Sequence, residues 1–365
     1  MLRVSVYVNS RDVAPSGYYR VTQYLRDYKG LVTVHALLPQ KVYVRYHSYS
    51  RTLKKVLSPL IYTIIYIRTL CALLRDSFTL CNDYVIISKY VLPHYLLFPH
   101  TILLKYLAKR NKLIWDFDDN ILASNSISKK EFMLLARYSH VIIVISEFLK
   151  ATIPSEYQDK VVLMPTTDGD MLERDMSTML QQRKTEFEKQ IVLVWVATGG
   201  NLIYLEGVIP YLEQCAINLH DRNNKKMVLR VICNKPLEIQ TSYLVIENIK
   251  WTREVAQEGM ASAHIGIMPL IDNELTRGKG GFKLVQYMSV GLPIVASAVG
   301  YNNNIVNESC GFLVSTEEQS GWQLAIDSII KSWDKYVAYA HNARKRYDEE
   351  YSYNIVKNFW DSIIK

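Results

Sequence analysis

Along the chain, short unbroken apolar runs alternate with stretches whose apolar residues recur at helical spacing. The runs "LRVSVYV" near the N-terminus, "YVIIS" (84–88), "KLIWDF" (112–117), "HVIIVIS" (140–146) and "KVVLMP" (160–165) predict strands. "YYRVTQYLRDY" and "LLFPHTILLKYLAK" predict helices among them. Strands that lack polar alternation are buried on both faces, and strand alternating with helix predicts a parallel sheet covered on both sides. The pattern pauses at "DGDMLERDMSTMLQQRKTEFEKQ" (168–190), which is polar, helix-prone and without a core-forming run. A second series follows in "IVLVWVATGG" (191–200), "MVLRVIC" (227–233), "HIGIMPL" (264–270), "LPIVASAV" (292–299) and "CGFLVS" (310–315). The prediction is an α/β protein of two doubly wound domains, residues 1–168 and 191–347, joined by a linker over 169–190. Such a pair places a ligand cleft between the carboxyl ends of its strands. The amphipathic tail, about 348–365, is expected to pack back on the first domain.

Length and composition agree with that picture. A chain of 365 residues suits two cores, and 49% hydrophobic with 21% charged residues excludes disordered and fibrous classes. The net charge of +8 changes it, because the excess lies in one half. Residues 1–165 carry 22 Lys/Arg against 11 Asp/Glu, and the remainder carries 21 against 24. A basic first half predicts an anionic partner for that half: a membrane surface, an acidic acceptor or nucleic acid. No zinc-finger, helix-turn-helix or RNA-recognition motif is visible, which ranks nucleic acid last. The segment "VLSPLIYTIIYIRTLCALL" (56–74), interrupted by Pro59 and Arg68 and edged by Lys54, Lys55 and Arg75, reads as too short and too broken to span a bilayer. A buried helix and a helix lying on a membrane interface are both open readings. The 26 tyrosines, many in the first 110 positions, fit either core packing or an interfacial surface. Cysteines 71, 81, 215, 233 and 310 form no CxxC, which predicts reduced thiols in a cytoplasmic protein. "MLRVSVYVNS" reads as a first strand, not as a signal peptide.

Four stretches carry candidate chemistry. "TRGKGGFKLVQYMSVGLPIVASAVG" (276–300) runs a glycine-rich loop into a helix, where free backbone N–H groups and the helix dipole favour an anion. Lys283 in the first turn, with Lys279, opposes the dipole and makes good sense if a phosphate sits between them; a tight turn with solvated lysines is the other reading. Lys279 is followed by Gly280, so the Ser or Thr that holds magnesium in a Walker loop is missing and ATP hydrolysis of that type is excluded. Gly199, Gly200 and Asn201 follow a buried strand and form a second anion candidate or a plain strand–helix turn. In "WDFDDNI" (115–121), Asp116, Asp118 and Asp119 crowd at a strand's carboxyl end, which is costly unless they meet solvent, a metal or hydroxyl groups. A metal-binding Asp-x-Asp, an aspartyl phosphatase and a sugar-contacting role are open, beside a helix N-cap role for Asp119 or Asn120. In "SGYYR" (16–20), Gly17 would let backbone approach a ligand and Arg20 could reach an anion on the acceptor side, beside an ordinary helix start. Histidines and cysteines show no metal spacing, so no bound metal and no cofactor are predicted.

The segment "GKGGFKLVQYMSVGLPIVASAVGYNNNIVNESCGFLV" resembles the donor-site signature of the retaining glycosyltransferases of family 4, two-domain enzymes of the GT-B fold. "SGYYRVTQYL", "IWDFDDNI", "VLMPTTD", "VWVATGGNLIYL" and "IGIMPLIDNELTRGKGGFK" are similar to one branch of that family in order and spacing, over most of the chain. The resemblance implies transfer of a sugar from a nucleotide-diphosphate sugar, with retention, to an acceptor hydroxyl. The basic first half and the apolar, lysine-edged 54–75 segment suggest that the acceptor is a glycan or lipid-linked one, as in cell-surface polysaccharide or lipopolysaccharide assembly. The resemblance also implies two Rossmann-like domains, donor contacts from Gly199, Gly200, Asn201, Arg277, Lys279, Gly280, Gly281, Phe282 and Gln286, and Asp118 near where many members carry a histidine. Lys283 is the expected stabiliser of the leaving diphosphate. Members typically carry two glutamates eight positions apart; Gly278 and Gln286 stand there, and Glu274 is the nearest acid before them. Their loss motivates an alternative, a catalytically inactive protein that binds sugar nucleotides or a partner enzyme.

Overall fold

The computed structural model describes residues 1–78, 82–171, 174–318 and 320–365. They form two compact units: Met1–Thr166 with Gly278–Gly280 and Val356–Lys365, and Thr167–Arg277 with Gly281–Ile355.

The first unit is built on β1 (Arg3–Val8), β2 (Leu31–Ala36), β3 (Tyr84–Ser88), β4 (Lys112–Asp116), β5 (Val141–Val144) and β6 (Val161–Leu163). All pairs are parallel, in the order β2-β1-β3-β4-β5-β6. Chain direction across the sheet reverses at β1, so the topological switch lies between β1 and β3, where such sheets bind ligands at strand carboxyl ends. Helices α1 (Pro15–Arg20), α2 (Gln40–Ser48), α3 (Arg51–Phe78), α4 (Phe98–Arg110), α5 (Lys129–Tyr138) and α6 (Glu147–Ala151) connect the strands. Val85, Ile87, Leu113, Trp115, Ile142 and Val144 are buried in its core, as unalternated apolar strands require.

One expectation about this unit needs correction. The 56–74 segment is neither short nor broken: it lies within the 28-residue α3. At 1.5 Å per residue that helix is about 42 Å long, enough by length and composition to cross a bilayer. Pro59 does not break it. The Lys55 carbonyl, deprived of the Pro59 N–H, accepts instead from Ser58 Oγ at 2.8 Å. One face of α3 is tied to the sheet. Ile65, Thr69, Ala72, Leu73 and Asp76 are buried, and Asp76 accepts from Tyr7 Oη at 2.8 Å and meets His35 Nε2 at 3.1 Å.

The second unit begins with α7 (Met176–Phe187), where the sequence suggests a linker. Its Met179, Arg183 and Phe187 are buried. Arg183 earns that place by donating to the carbonyls of Ala261 (2.9 Å), Gly291 (2.9 Å) and Val290 (2.7 Å), so a charged residue serves where an apolar run was sought. The sheet comprises β7 (Gln190–Val196), β8 (Lys226–Cys233), β9 (Leu244–Lys250), β10 (Ile265–Met268), β11 (Ile294–Ser297) and β12 (Gly311–Val314), all parallel, in the order β12-β11-β10-β7-β8-β9. Around it run α8 (Leu202–Glu206), α9 (Ile209–Asn223), α10 (Arg253–Ala261), α11 (Glu274–Arg277), α12 (Phe282–Ser289), α13 (Asn302–Ile305), α14 (Gly321–Ile329) and α15 (Trp333–Arg346). The last helix, α16 (Tyr353–Ile363), belongs to the first unit from Val356 onward, where buried Trp360 donates its indole N–H to the Arg20 carbonyl at 2.9 Å. Cys71, Cys215, Cys233 and Cys310 are free thiols, and Cys81 lies outside the described residues.

Candidate functional site: a lysine-centred anion cradle and a carboxylate cluster

In the second unit, the strand ends and α12 assemble the donor candidates. Gly281 ends the glycine-rich loop with φ +59°, a backbone state that disfavours side chains, and turns the chain into α12. Gly300, at φ +54°, lets its loop press on the preceding one; a Cβ there would fall 2.5 Å from the Arg277 carbonyl oxygen. Tyr287 on α12 links the helix to β7 and β10: its hydroxyl accepts from Val196 N and donates to the Ile267 carbonyl, both at 3.3 Å. The turn after β7 is thereby held near the helix. There Gly199 N–H donates to Asn234 Oδ1 at 2.7 Å, the Lys235 stem covers Gly199, and Gly200 is open. Asn201 bonds back to Thr198 Oγ1 at 3.0 Å.

Lys283, half-buried in the first turn of α12, donates to Gln286 Oε1 at 2.8 Å. Gln286 in turn donates from Nε2 to Asp168 Oδ2 at 2.6 Å, inside the core. Burial pushes the Lys283 ammonium down to about 8, opposed by the charge of Asp168, and burial raises the Asp168 carboxyl against its Gln286 bond. An ammonium that is costly to hold charged and sits at a helix N-terminus is one that an incoming diphosphate would recharge. The chain also explains why an amide stands at 286. A glutamate there would press a second carboxylate on Asp168. We expect Gln286→Glu to lower stability at pH 8 by about 1–3 kcal/mol, through the lost bond and like-charge contact. Asp168→Asn in the same chain should restore the melting temperature, and no restoration would contradict the pairing.

The other loop candidates are dispersed. Arg277 is engaged by Asp272, Nε–Oδ1 2.6 Å and Nη2–Oδ2 2.9 Å, on the surface. Glu274 is exposed in the first turn of α11, and Phe282 is half-buried beside the Lys283 ammonium, 5.2 Å from its ring centre. Gly278, Lys279 and Gly280 group with the first unit, and burial lowers the Lys279 ammonium from its ordinary value.

In the first unit, the acidic stretch splits by role. Asp116 pairs with Ser88 in register and is fully buried; Arg20 meets it through Nε at 2.9 and 3.0 Å. Arg20 Nη2 also donates to Asp116 Oδ1 (2.5 Å), and Nη1 reaches the Met164 carbonyl (3.1 Å) and Thr166 Oγ1 (3.0 Å). Arg20 was expected to reach an anionic ligand; the structure instead spends it inside the unit. Gly17 similarly serves packing, since a Cβ would meet the Ser10 carbonyl at 3.0 Å and Val8 Cβ at 3.2 Å. Asn120 caps a turn rather than a helix, accepting Ala123 N–H at 3.1 Å; the next helix, α5, is capped by Ser128. Asp118 and Asp119 share Lys89, with Asp118 Oδ1 at 3.0 Å from its Nζ. Burial alone would push Asp118 up; Lys89 and Arg20 overcome it and hold the carboxyl below its ordinary value. Asp118 is thus an ionised carboxylate at neutral pH, and Asp119 is half-exposed.

Lys89 escapes sequence inspection, as do Asp168, Asn234 and Lys235. Its φ of +68° is strained for a lysine, a state retained where surroundings over-determine it. Lys89, Asn234 and Lys235 each sit within two residues of a buried strand's carboxyl end, and that position is the signal that would have found them.

Glu131 on α5 braces the loop that follows Lys89, accepting the N–H groups of Val91 (2.6 Å) and Leu92 (3.4 Å). Burial pushes its carboxyl up to about 8, against those two bonds. The folded chain therefore holds a proton there that the unfolded chain releases near pH 4.5, so its contribution is full below that pH and is lost as pH rises through about 8. Stability should fall across that window by up to about 1.4 kcal/mol per pH unit. Glu131→Gln should flatten the slope in urea titrations, and an unchanged slope would assign the pH dependence elsewhere.

Residues 192–332 match the model of the family described as Glycosyl transferases group 1. No curated protein matches the chain by sequence. Solved structures do match. Anabaena HepE in complex with UDP-glucose superposes with a TM-score of 0.64 at 12% identity, over 100% of this chain and 99% of that one. The fold is GT-B. Sucrose-phosphate synthase of Thermosynechococcus elongatus (TM-score 0.61, 10% identity, 100% and 98% covered) and a glycosyltransferase of Rickettsia africae (0.59, 12%, 100% and 98%) share it. At these identities the likeness is one of fold; the family match spans both the glycine-rich loop and Lys283, of which Gly278–Gly280 group with the first unit and Gly281 and Lys283 belong to the second.

Proposed function

We propose that the protein is a family 4 glycosyltransferase that moves a sugar from a nucleotide-diphosphate sugar to an acceptor hydroxyl with retention of anomeric configuration. Lys283 carries the reading: a desolvated ammonium behind Gly281 in the first turn of α12, inside the family-matched segment, is suited to a departing diphosphate. The bond from anomeric carbon to diphosphate oxygen breaks, the leaving electrons settle on the diphosphate, and the acceptor hydroxyl attacks from the same face, passing its proton to the departing diphosphate oxygen. Lys283, the uncrowded turn at Gly200 and the α12 N-terminus offset the developing charge. This reading needs no metal, so activity should persist in EDTA. HepE was solved with UDP-glucose, which makes UDP-sugars the first donors to try.

The first unit would bind the acceptor, with ionised Asp118 and half-exposed Asp119 as hydroxyl acceptors. Leu53, Val56, Leu60, Ile67, Leu74 and Phe78 form an exposed stripe on the face of α3 opposite Asp76, and between positions 41 and 112 twelve Lys/Arg stand against two Asp. Such a face suits the inner, anionic surface of a membrane, which supports the reading of a cytoplasmic protein acting at sites of cell-surface polysaccharide or lipopolysaccharide assembly. Co-sedimentation with anionic vesicles is expected at low salt and should be lost with Leu60→Ser/Ile67→Ser; recovery in the supernatant at low salt would remove the membrane from the proposal.

The deciding experiment is a thermal-shift panel of UDP, GDP, ADP and CMP with their sugars. A ligand at about 100 times its Kd adds roughly 2.7 kcal/mol of stability. No shift with any of them would overturn the donor site. A second reading, binding without catalysis, is favoured by Gln286, whose amide is consumed by Lys283 and Asp168. Slow release of free nucleotide from the sugar donor that stabilises the protein separates enzyme from binder.

A further inference from the structure

A cavity of about 630 Å³ in the first unit is not accounted for by the carboxylate cluster. It opens at the carboxyl ends of β1, β2 and β3, beside the sheet's topological switch, with Asn9, Leu37 and Tyr90 marking the three strand ends. That is where a doubly wound sheet receives ligands, and the volume is in the range of small-molecule sites. Its walls are α2, α3 and the loop after β3, and its surfaces are mostly tyrosine rings and aliphatic side chains.

The polar atoms of those walls are largely spent on the protein itself. Tyr62 Oη donates to the Tyr95 carbonyl at 3.1 Å and Tyr46 Oη to the Lys54 carbonyl at 3.4 Å. His47 Nδ1 meets the Tyr43 carbonyl at 2.9 Å, His94 Nδ1 the Asn125 carbonyl at 2.7 Å, and Asn9 bonds Tyr90. Ser58 is spent on the carbonyl that Pro59 leaves orphaned. A glycan would bring many hydroxyls to walls with few free partners, and each unmatched buried group is costly. An apolar chain would lose nothing there and gain the burial of its own surface. The two wall helices supply the other half of the specificity: α2 and α3 bear Lys41, Arg45, Lys54, Lys55, Arg68 and Arg75 against one acid, and that acid, Asp76, is buried. A carrier with an apolar tail and an anionic head is complementary to both features.

We propose that this cavity is the seat of the apolar chain of a lipid-carried phosphate or diphosphate acceptor. The assignment as an acceptor rests on the glycosyltransferase reading; the lipid site itself does not. The test uses the full chain and farnesyl phosphate as probe, with inorganic phosphate, farnesol and a methyl glycoside as comparisons and UDP binding as an independent readout. Farnesyl phosphate should bind at least tenfold more tightly than inorganic phosphate or farnesol, more weakly at high salt. Ser58→Trp, a filling change at an exposed wall position, and Ile61→Glu should each weaken it at least tenfold while leaving UDP binding intact. Equal binding to wild type and both variants, or preference for the methyl glycoside, would overturn the site. Absence of farnesyl phosphate binding with UDP binding retained would overturn it and leave the transferase reading standing. Farnesyl phosphate binding sensitive to Ser58→Trp, without binding of any nucleotide, would uphold the lipid site and remove the donor reading.

Discussion

Arg20→Ala is expected to cost about 3–5 kcal/mol of stability, the range for removing one partner of a buried ion pair. The reason is what it leaves behind. Asp116 is fully buried at the end of β4 with the guanidinium across both its oxygens, and Met164 and Thr166 lose their donors in the same step. Arg20→Lys should recover little, because an ammonium cannot cover two carboxylate oxygens and two further acceptors from one plane. Removing both charges, Arg20→Met with Asp116→Asn, should be milder than Arg20→Ala alone. Urea midpoints measure all three, and a cost below about 1 kcal/mol for Arg20→Ala would show that the pair is not what holds α1 to the sheet.

The second large effect is catalytic. Lys283→Ala should weaken UDP binding roughly 10- to 100-fold, the worth of one charge-assisted hydrogen bond, and lower kcat about 10²- to 10³-fold once charge develops on the diphosphate. Its signature is in pH. With the free ammonium pushed down to about 8, the anion binds a site that is charged below that pH and neutral above it. UDP affinity should therefore fall as pH rises through about 8, with uptake of up to one proton on binding, and the fall should vanish in Lys283→Met. A pH dependence identical in Lys283→Met and wild type would take Lys283 out of the donor site.

Much of the fold was legible in the apolar runs, and the misses are informative. β2 ("LVTVHA") and β9 ("LVIENIK") were not foreseen because both are edge strands, half exposed, so they carry polar residues that the double-sided burial pattern does not expect. The turns at Gly281 before α12 and at Gly199–Gly200 after β7 were legible, since a glycine-rich loop before a helix is a local signal; that they hold an anion is the proposal above.

What sequence alone determined is whatever is local: strands buried on both faces, the loop-to-helix turn with its misplaced lysine, the basic first half. What only tertiary structure decided is which charges are spent. Asp116 and Asp118 are two residues apart, yet one is consumed by Arg20, 96 positions away, and the other is kept ionised by Lys89 from a different strand end. Gln286 stands where a glutamate was expected because Asp168, 118 positions earlier, lies 2.6 Å from its amide. Nor could the periodicity of α3 separate a buried helix from an interfacial one, because it is apolar on two faces and only the sheet selects which of them is covered. Electrostatic worth depends on desolvation and on partners brought together by folding, and neither is written in the spacing of residues along a chain.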